Sequence, residues 1–510
     1  MTVVGVNTRD GAGAPDGFAA SRERFESVLG FLDGAEAAGL CHAELEARLQ
    51  ADGREVVRQL LQDHLELRAE REQRLETVIG VAGKNYGTVE ADHQRPLTTL
   101  FGDVTVRRNA YRRRDAANLY PADAWLNLPE EQYSHGLRRL GALEAARGSY
   151  DGAVEAIKRA TGQQVGKRQV EALALRAAED FEDFYATRVT PTDPTDTDEE
   201  VLIISADGKG IVMRPEALRA ATAKAAAKDT KKLRGRLSKG EKRNRKRLAE
   251  VGAVYTITPS ARTPTDIIRG DDQTATAIPG PVARSKWLTA SVVDTAATVI
   301  STIFDQADRR DPDHQQTWVA LVDGNNHQIR RINTEAKKRG VKVHIVCDFV
   351  HVLEYLWSAA WSFYKEGDPN AETWVHEKAL AVLEGHSSQV AAAIRRTATC
   401  RNLPRAQRAN ADTCADYLLR KRRYLDYPLA LRKGWPIATG VIEGACRHLV
   451  KDRMDLTGAR WGLDGAEAIL KLRALHTNGD FDEYWHYHLH QERHRIHETR
   501  YARGVIPPAA

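Results

Sequence analysis

Three acidic residues sit where they could hold a ligand by charge. Asp207 follows the apolar run VLIISA and precedes Gly208; Asp323 follows WVALV and precedes Gly324; Glu443 follows Val441 and Ile442 in GWPIATGVIEGACRHLVKDRMD and precedes Gly444. A carboxylate that closes a buried strand stands at the carboxyl end of a sheet, where open α/β sheets bind ligands. The glycine after it lets the backbone turn, or lets something approach closely. Taken singly, Asp-Gly after an apolar run is more often a plain turn. Taken together, three gathered carboxylates repel one another unless cations lie between them. Magnesium, or manganese in its place, suits an all-oxygen site, and two ions about 4 Å apart can flank a phosphorus atom. Two Mg2+ (or Mn2+) ions are the expected cofactors.

Such a site needs a sheet, and the chain offers one after residue 200. Strands are predicted at Val201–Ala206, Gly252–Thr258, Trp287–Val293, Trp318–Val322 and Val341–Cys347. Helices fit Thr295–Ala307, Asn325–Lys338 and Phe349–Phe363, so the later strands read as right-handed βαβ units on a mixed sheet. Glu443 falls in the first turns of a helix that also carries Arg447, His448, Lys451 and Arg453. The expected organisation is a flexible N-terminus (1–20) and a mainly helical DNA-binding or assembly region (21–188) with a β-hairpin near 97–112. A linker (189–200) rich in Thr, Pro and acids leads to the core (201–369), which holds a basic insert (216–250). A helical insertion (370–430), a core helical part with Glu443 (431–476) and a C-terminal tail (477–510) complete the chain.

Charge distribution points toward a polyanion. Lys231, Lys232, Arg234, Arg236, Lys239, Lys242, Arg243, Arg245, Lys246 and Arg247 crowd one stretch in which only Glu241 opposes them. A solvated helix face is the plainer reading of a charge run, but this density exceeds what solubility needs. The hairpin near FGDVTVRRNAYRRR carries Arg107, Arg108, Arg112, Arg113 and Arg114, expected on its exposed side. Helices near Asp151–Thr161 and from Gly166 form a helix-turn-helix layout with Lys167, Arg168 and Gln169 opening the second helix. Such a pair either reads DNA or simply packs.

The segments ADGKGIVMR, RRDPDHQQTWVALVDGNNHQ, VCDFVHVLEYLWSAAW and GWPIATGVIEGACRHLVKDRMDLTGARWGLDGAEAILKLRAL resemble transposases of the ISKra type of bacterial insertion sequences. FGDVTVRRNAYRRR and LNLPEEQYSHGLRRL resemble the N-terminal half of that family, so the likeness runs from about residue 90 to 500. The family is similar to the wider DDE group, including Mutator-like transposases, which implies a ribonuclease H-like core. The resemblance places the catalytic, metal-holding acids at Asp207, Asp323 and Glu443, with Asp207 shared by both ions. It also implies a role beside the site for Asp348 and His351, in Asp348–Phe349–Val350–His351; from its setting alone His351 reads as a half-buried structural histidine. The implied reaction is metal-dependent cleavage at transposon ends followed by strand transfer into target DNA. Arg447, Lys451 and Arg460 are candidate phosphate contacts, and Trp461 either stacks on an unpaired base or packs. A homodimer or larger assembly on DNA is implied, and a guide RNA or accessory protein stays open.

Other classes fare less well. A nuclease or resolvase without joining would use the same acids, but the long N-terminal half and helical insertion exceed a minimal nuclease. A catalytically inactive DNA-binding protein would not need all three acids. A P-loop phosphotransferase lacks its G-x-x-x-x-G-K-[ST] motif. The 510 residues are 42% hydrophobic and 28% charged, which fits a globular protein of several domains. Five scattered cysteines without a C-x-x-C pair speak against a disulfide framework or a cysteine zinc site. The N-terminus lacks a secretion signal and no apolar run approaches membrane-helix length, so a cytoplasmic location is expected.

Overall fold

The computed structural model describes residues 16–188, 200–228, 245–268, 278–456 and 458–508. The chain forms two compact units. One comprises the chain up to Asp180 together with the segment from Asp482 on; the other is Phe181–Phe481. Among the described residues no helix is long and apolar enough to cross a membrane.

The first unit is mostly helical around a long hairpin, with a short antiparallel pair, Val78–Ile79 and Asn85–Tyr86, before it. Helices Ala19–Asp33 and His42–Arg71 precede strands β1 (Thr88–Thr98) and β2 (Asp103–Arg112), which pair antiparallel across a tight turn at Thr99–Gly102. Strand alternation sends Val104 and Val106 inward against Leu65, Leu97 and Leu128. The same alternation sends Arg108 inward. It is buried, holds Asp123 at 2.9 Å and lies over the Tyr120 ring, so it is not on the exposed side expected for it. Helix Tyr150–Thr161 ends at Gly162 in the left-handed conformation, and helix Lys167–Ala177 follows from Gly166. The expected C-terminal tail is instead a helix, Phe481–Ile496, and buried Arg138 binds its Glu492 at 2.7 and 2.8 Å.

The second unit is a mixed α/β fold on a five-stranded sheet. Its strands are β3 (Val201–Val212), β4 (Lys246–Ile257), β5 (Ala283–Ser291), β6 (Thr317–Val322) and β7 (Val343–Cys347), in the order β5-β4-β3-β6-β7. Strands β3, β4 and β5 pair antiparallel, whereas β6 runs parallel to β3 and β7 parallel to β6. Strands covered on both faces read as unbroken apolar runs, and β6 is buried at every position after Thr317. Helices Ala296–Arg310 and Asn326–Arg339 make the connections to β6 and β7, as their apolar spacing predicts. Helices Pro369–Leu383, Ser387–Cys400 and Arg405–Lys421 form the helical stretch between β7 and Glu443, with Val375, Leu383, Ile394 and Leu418 in its core.

Four strands start or end two or more residues away from their expected bounds: β5 runs Ala283–Ser291 instead of 287–293, and β7 starts at Val343 instead of Val341. β4 begins at Lys246, so Lys246–Glu250 belong to the sheet rather than to the basic insert. β3 continues to Val212, beyond the expected end at Ala206.

Candidate active site

Asp207 lies inside β3, not at its end. Pairing with β6 stops at Ser205–Leu321, while antiparallel pairing with β4 runs on to Val212–Lys246. Beyond Ser205 the two strands form a ribbon whose β6 side is unpaired, and Asp207 stands at its root. Gly208 is therefore no turn. It pairs with Glu250, and a Cβ there would come within 2.8 Å of the Leu248 side chain. Asp323 does close β6, and Gly324 after it has φ +95°, which favours glycine. A Cβ at Gly324 would also stand 2.8 Å from Tyr417 Oη.

The sheet register aligns three aspartates. Asp207 and Asp323 share the offset of the paired Ser205 and Leu321, and Asp323 and Asp348 share that of the paired Leu321 and Val346. Each aspartate thus lies two residues beyond a paired position on adjacent strands, and paired strands are spaced about 4.8 Å apart.

Asp348 is fully buried and caps helix Phe349–Ala360, where its Oδ1 accepts the Val350 N–H at 2.7 Å. Its Oδ2 accepts the Thr439 N–H at 3.3 Å and the Thr439 hydroxyl. The same hydroxyl oxygen lies 3.2 Å from Glu443 Oε1. A hydroxyl has one proton and cannot serve two carboxylates at once, so the pair leaves a place for positive charge. Glu443 sits in helix Gly440–Ala445, which loosens into a π-helical stretch at Cys446–Lys451; such bulges recur at functional sites. His351 lies one turn along the helix capped by Asp348, with Nδ1 bonded to Glu354 Oε2 at 2.9 Å. Burial alone would lower its pKa, but the bond to Glu354 and the charges of Asp348, Glu354 and Asp323 raise it above the ordinary value. One ligand atom each from Asp348, His351 and Glu443 lie within 4.8 Å of one another.

Cys446 ties this group to Asp207. Its thiol donates to Asp207 Oδ2 at 3.4 Å, one turn beyond Glu443. Burial pushes that thiol far up, and the Asp207 and Glu443 carboxylates push it further, so it stays protonated and donating. A fifth acid, Glu250, lies near Asp207; burial raises its carboxyl, Arg219 works against the shift and Asp207 adds to it. The sequence reading missed Thr439, Cys446 and Glu250. Only Cys446 had a local sign, its spacing of three residues from Glu443 on a helix.

A cleft of about 560 Å³ opens beside Asp323, lined also by Asn325, Tyr355, Tyr417, Arg420 and Lys421. Tyr417 donates to the Asp323 carbonyl at 3.3 Å, and buried Lys421 donates to Asn326 Oδ1. Helix Arg405–Lys421 of the insertion thus walls the candidate site.

The expected DNA contacts divide. Lys231, Lys232, Arg234, Arg236, Lys242 and Arg243 lie outside the described residues, as does most of the linker. Arg447, Lys451, Arg460 and Lys246 are exposed and Arg245 is half-buried. Arg247 turns inward instead, donating to the carbonyls of Val292 at 2.7 Å and Ala217 at 3.3 Å, with its pKa lowered by burial. Trp461 is no stacking platform. It is buried, bridges to Met213, donates Nε1 to the Met454 carbonyl at 3.0 Å and carries the Arg453 guanidinium on its ring.

Asp348, His351 and Glu443 could hold a metal ion, and their mixed nitrogen and oxygen donors fit Mn2+ or Zn2+ better than Mg2+. Residues 36–226 match the Uncharacterised protein family (UPF0236), a span that includes Asp207 but none of the other candidate acids. No curated protein matches the chain.

Proposed function

We propose that this protein is a DDE-type transposase with a ribonuclease H-like core, cutting DNA at insertion-sequence ends and joining the freed 3′ end to target DNA. The observation that carries this reading is that Asp207, Asp323 and Asp348 each follow a paired position on adjacent strands by two residues, with Cys446 bonded to Asp207 and Thr439 bonded to both Asp348 and Glu443. The sheet order, with the central strand first in sequence and three antiparallel strands followed by two parallel ones, agrees with it. A divalent cation bound by these carboxylates would neutralise phosphate charge and activate the attacking oxygen. The chain's own residues hold that charge in place. Asp207 and Asp323 present carboxylate oxygens, Thr439 bonds Glu443, and His351, held by Glu354, stands beside Asp348 and Glu443. Exposed Arg447, Lys451 and Arg460 are proposed to meet DNA phosphates.

The test uses DNA flanking the coding region as the substrate. Mg2+- or Mn2+-dependent cleavage and joining are expected from the wild-type chain. Asp207→Asn should abolish both while leaving DNA affinity within a few-fold. Cleavage retained in Asp207→Asn would refute the site, and cutting without joining would identify a nuclease.

A further inference from the structure

We propose that the exposed face of helix Phe349–Ala360 and the turn after it bind single-stranded DNA by base stacking. Val350, Glu354, Trp357 and Trp361 recur at helical spacing and fall on one stripe. The stripe starts beside Asp348 and His351 and extends about 16 Å at 1.5 Å per residue. Glu354 on it is engaged by His351. At its far end Trp357 and Trp361 stack on each other, centroids 5.4 Å apart, and Trp361 remains 44% exposed. Large exposed tryptophans are costly unless something covers them.

The surroundings favour flat bases over an apolar partner. The exposed Arg401 lays its guanidinium over both Phe363 and Tyr364, anchored by a bond to the Phe363 carbonyl at 2.7 Å, and Lys365 is exposed next to them. Of the nearby acids, Asp368 caps the following helix through the Asn370 N–H, Glu354 is bonded to His351, and Glu366 is exposed. Stacked rings beside cations form the kind of surface that holds unpaired nucleotides regardless of base. The stacking role expected at Trp461 is thus offered by Trp361. Unpaired bases require a nearby opened duplex, so the inference rests on the proposed function and names the form of substrate the site takes.

The full chain is titrated against a labelled oligothymidylate and a blunt duplex, followed by fluorescence anisotropy with EDTA present so that no cleavage intervenes. Trp361→Ala should weaken single-strand binding roughly 5- to 30-fold, the lower part of the range for one stacked base. Trp361→Phe should recover most of the loss, and duplex affinity should stay within two-fold. Absence of single-strand binding by the wild-type chain overturns the inference. So does affinity unmoved in a Trp361→Ala variant that melts like wild type. Asp323→Asn separates the two claims: it should lose cleavage and keep single-strand affinity. Cleavage surviving in Asp323→Asn therefore refutes the enzymatic reading, whereas the Trp361 result alone decides this one.

Discussion

Asp348→Asn tests whether the buried carboxylate organises the site. In the wild type, one oxygen accepts the Val350 N–H and the other accepts the Thr439 N–H and hydroxyl. Asparagine has only one oxygen acceptor. Its amide must face either the Val350 N–H or the Thr439 N–H, and neither backbone donor can turn away. The hydroxyl can rotate to accept, which spares one contact. Roughly one charge-assisted bond is lost and another weakened, each worth about 1.5–3 kcal/mol, so a net cost of about 2–4 kcal/mol follows. Calorimetry of the full chain reads this as a downshift of the transition belonging to Phe181–Phe481. At about 2 °C per kcal/mol for a unit of this size, the shift is about 4–8 °C. Asp323→Asn is the control. Its carboxylate bonds only the Asn325 N–H at 2.7 Å in a half-buried turn, so it should move the same transition by no more than about 2 °C. An Asp348→Asn chain that melts with the wild type would show that the carboxylate does not bear these bonds. The link from Asp348 through Thr439 to Glu443 would then fail with it.

Two further outcomes concern the cation and the proton. Mn2+ or Zn2+ at about 100 times its dissociation constant should stabilise the wild-type chain by about 2.7 kcal/mol, and Glu443→Gln should lose that gain without itself lowering the metal-free melting point; equal metal stabilisation of both chains would rule out Glu443 as a ligand. His351 has a folded pKa raised above the ordinary value of about 6.5, so its share of stability is fully present below that pH and is lost as pH rises through the folded value. A metal competes with that proton, so metal affinity should rise over the same interval. NMR titration of the imidazole should give a midpoint above about 6.5, which Glu354→Gln lowers. A wild-type midpoint at or below the ordinary value would contradict the arrangement.

The parallel part of the sheet was legible because its chemistry is local. WVALV is a buried run and VHIVC a partly buried one, each ended by an aspartate, and both aspartates take up turn or capping positions that sequence rules describe. The extension of β3 past Ala206 was not legible. ADGKG looks like a turn, and what keeps it extended is pairing with Lys246–Val251, on the far side of the basic run. Of the two readings left open for Trp461, packing holds, and for the same reason. Its neighbours are basic, but its position is set by Met213, which contributes a bridge from the end of the ribbon. Arg108 was misplaced although its signal was present: two residues beyond Val106 on a strand, it had to share the inward face.

The ribbon also explains how distant acids come to share one sheet end. If β3 ended at Ala206, Asp207 would sit in a loop free to turn away. Continued pairing with β4 instead keeps its backbone extended, and the Cys446 thiol donates to its carboxylate. Cys446 opens the π-helical stretch that follows the short helix of Glu443, and Thr439 joins that helix to Asp348. Position is therefore imposed on Asp207 by the sheet, on Asp348 by a helix cap, and on Glu443 by its helix and Thr439. A site built this way loses Glu443 placement when either Cys446 or Thr439 changes, although neither presents a carboxylate. That dependence separates an organised acidic site from acids that merely stand near strand ends.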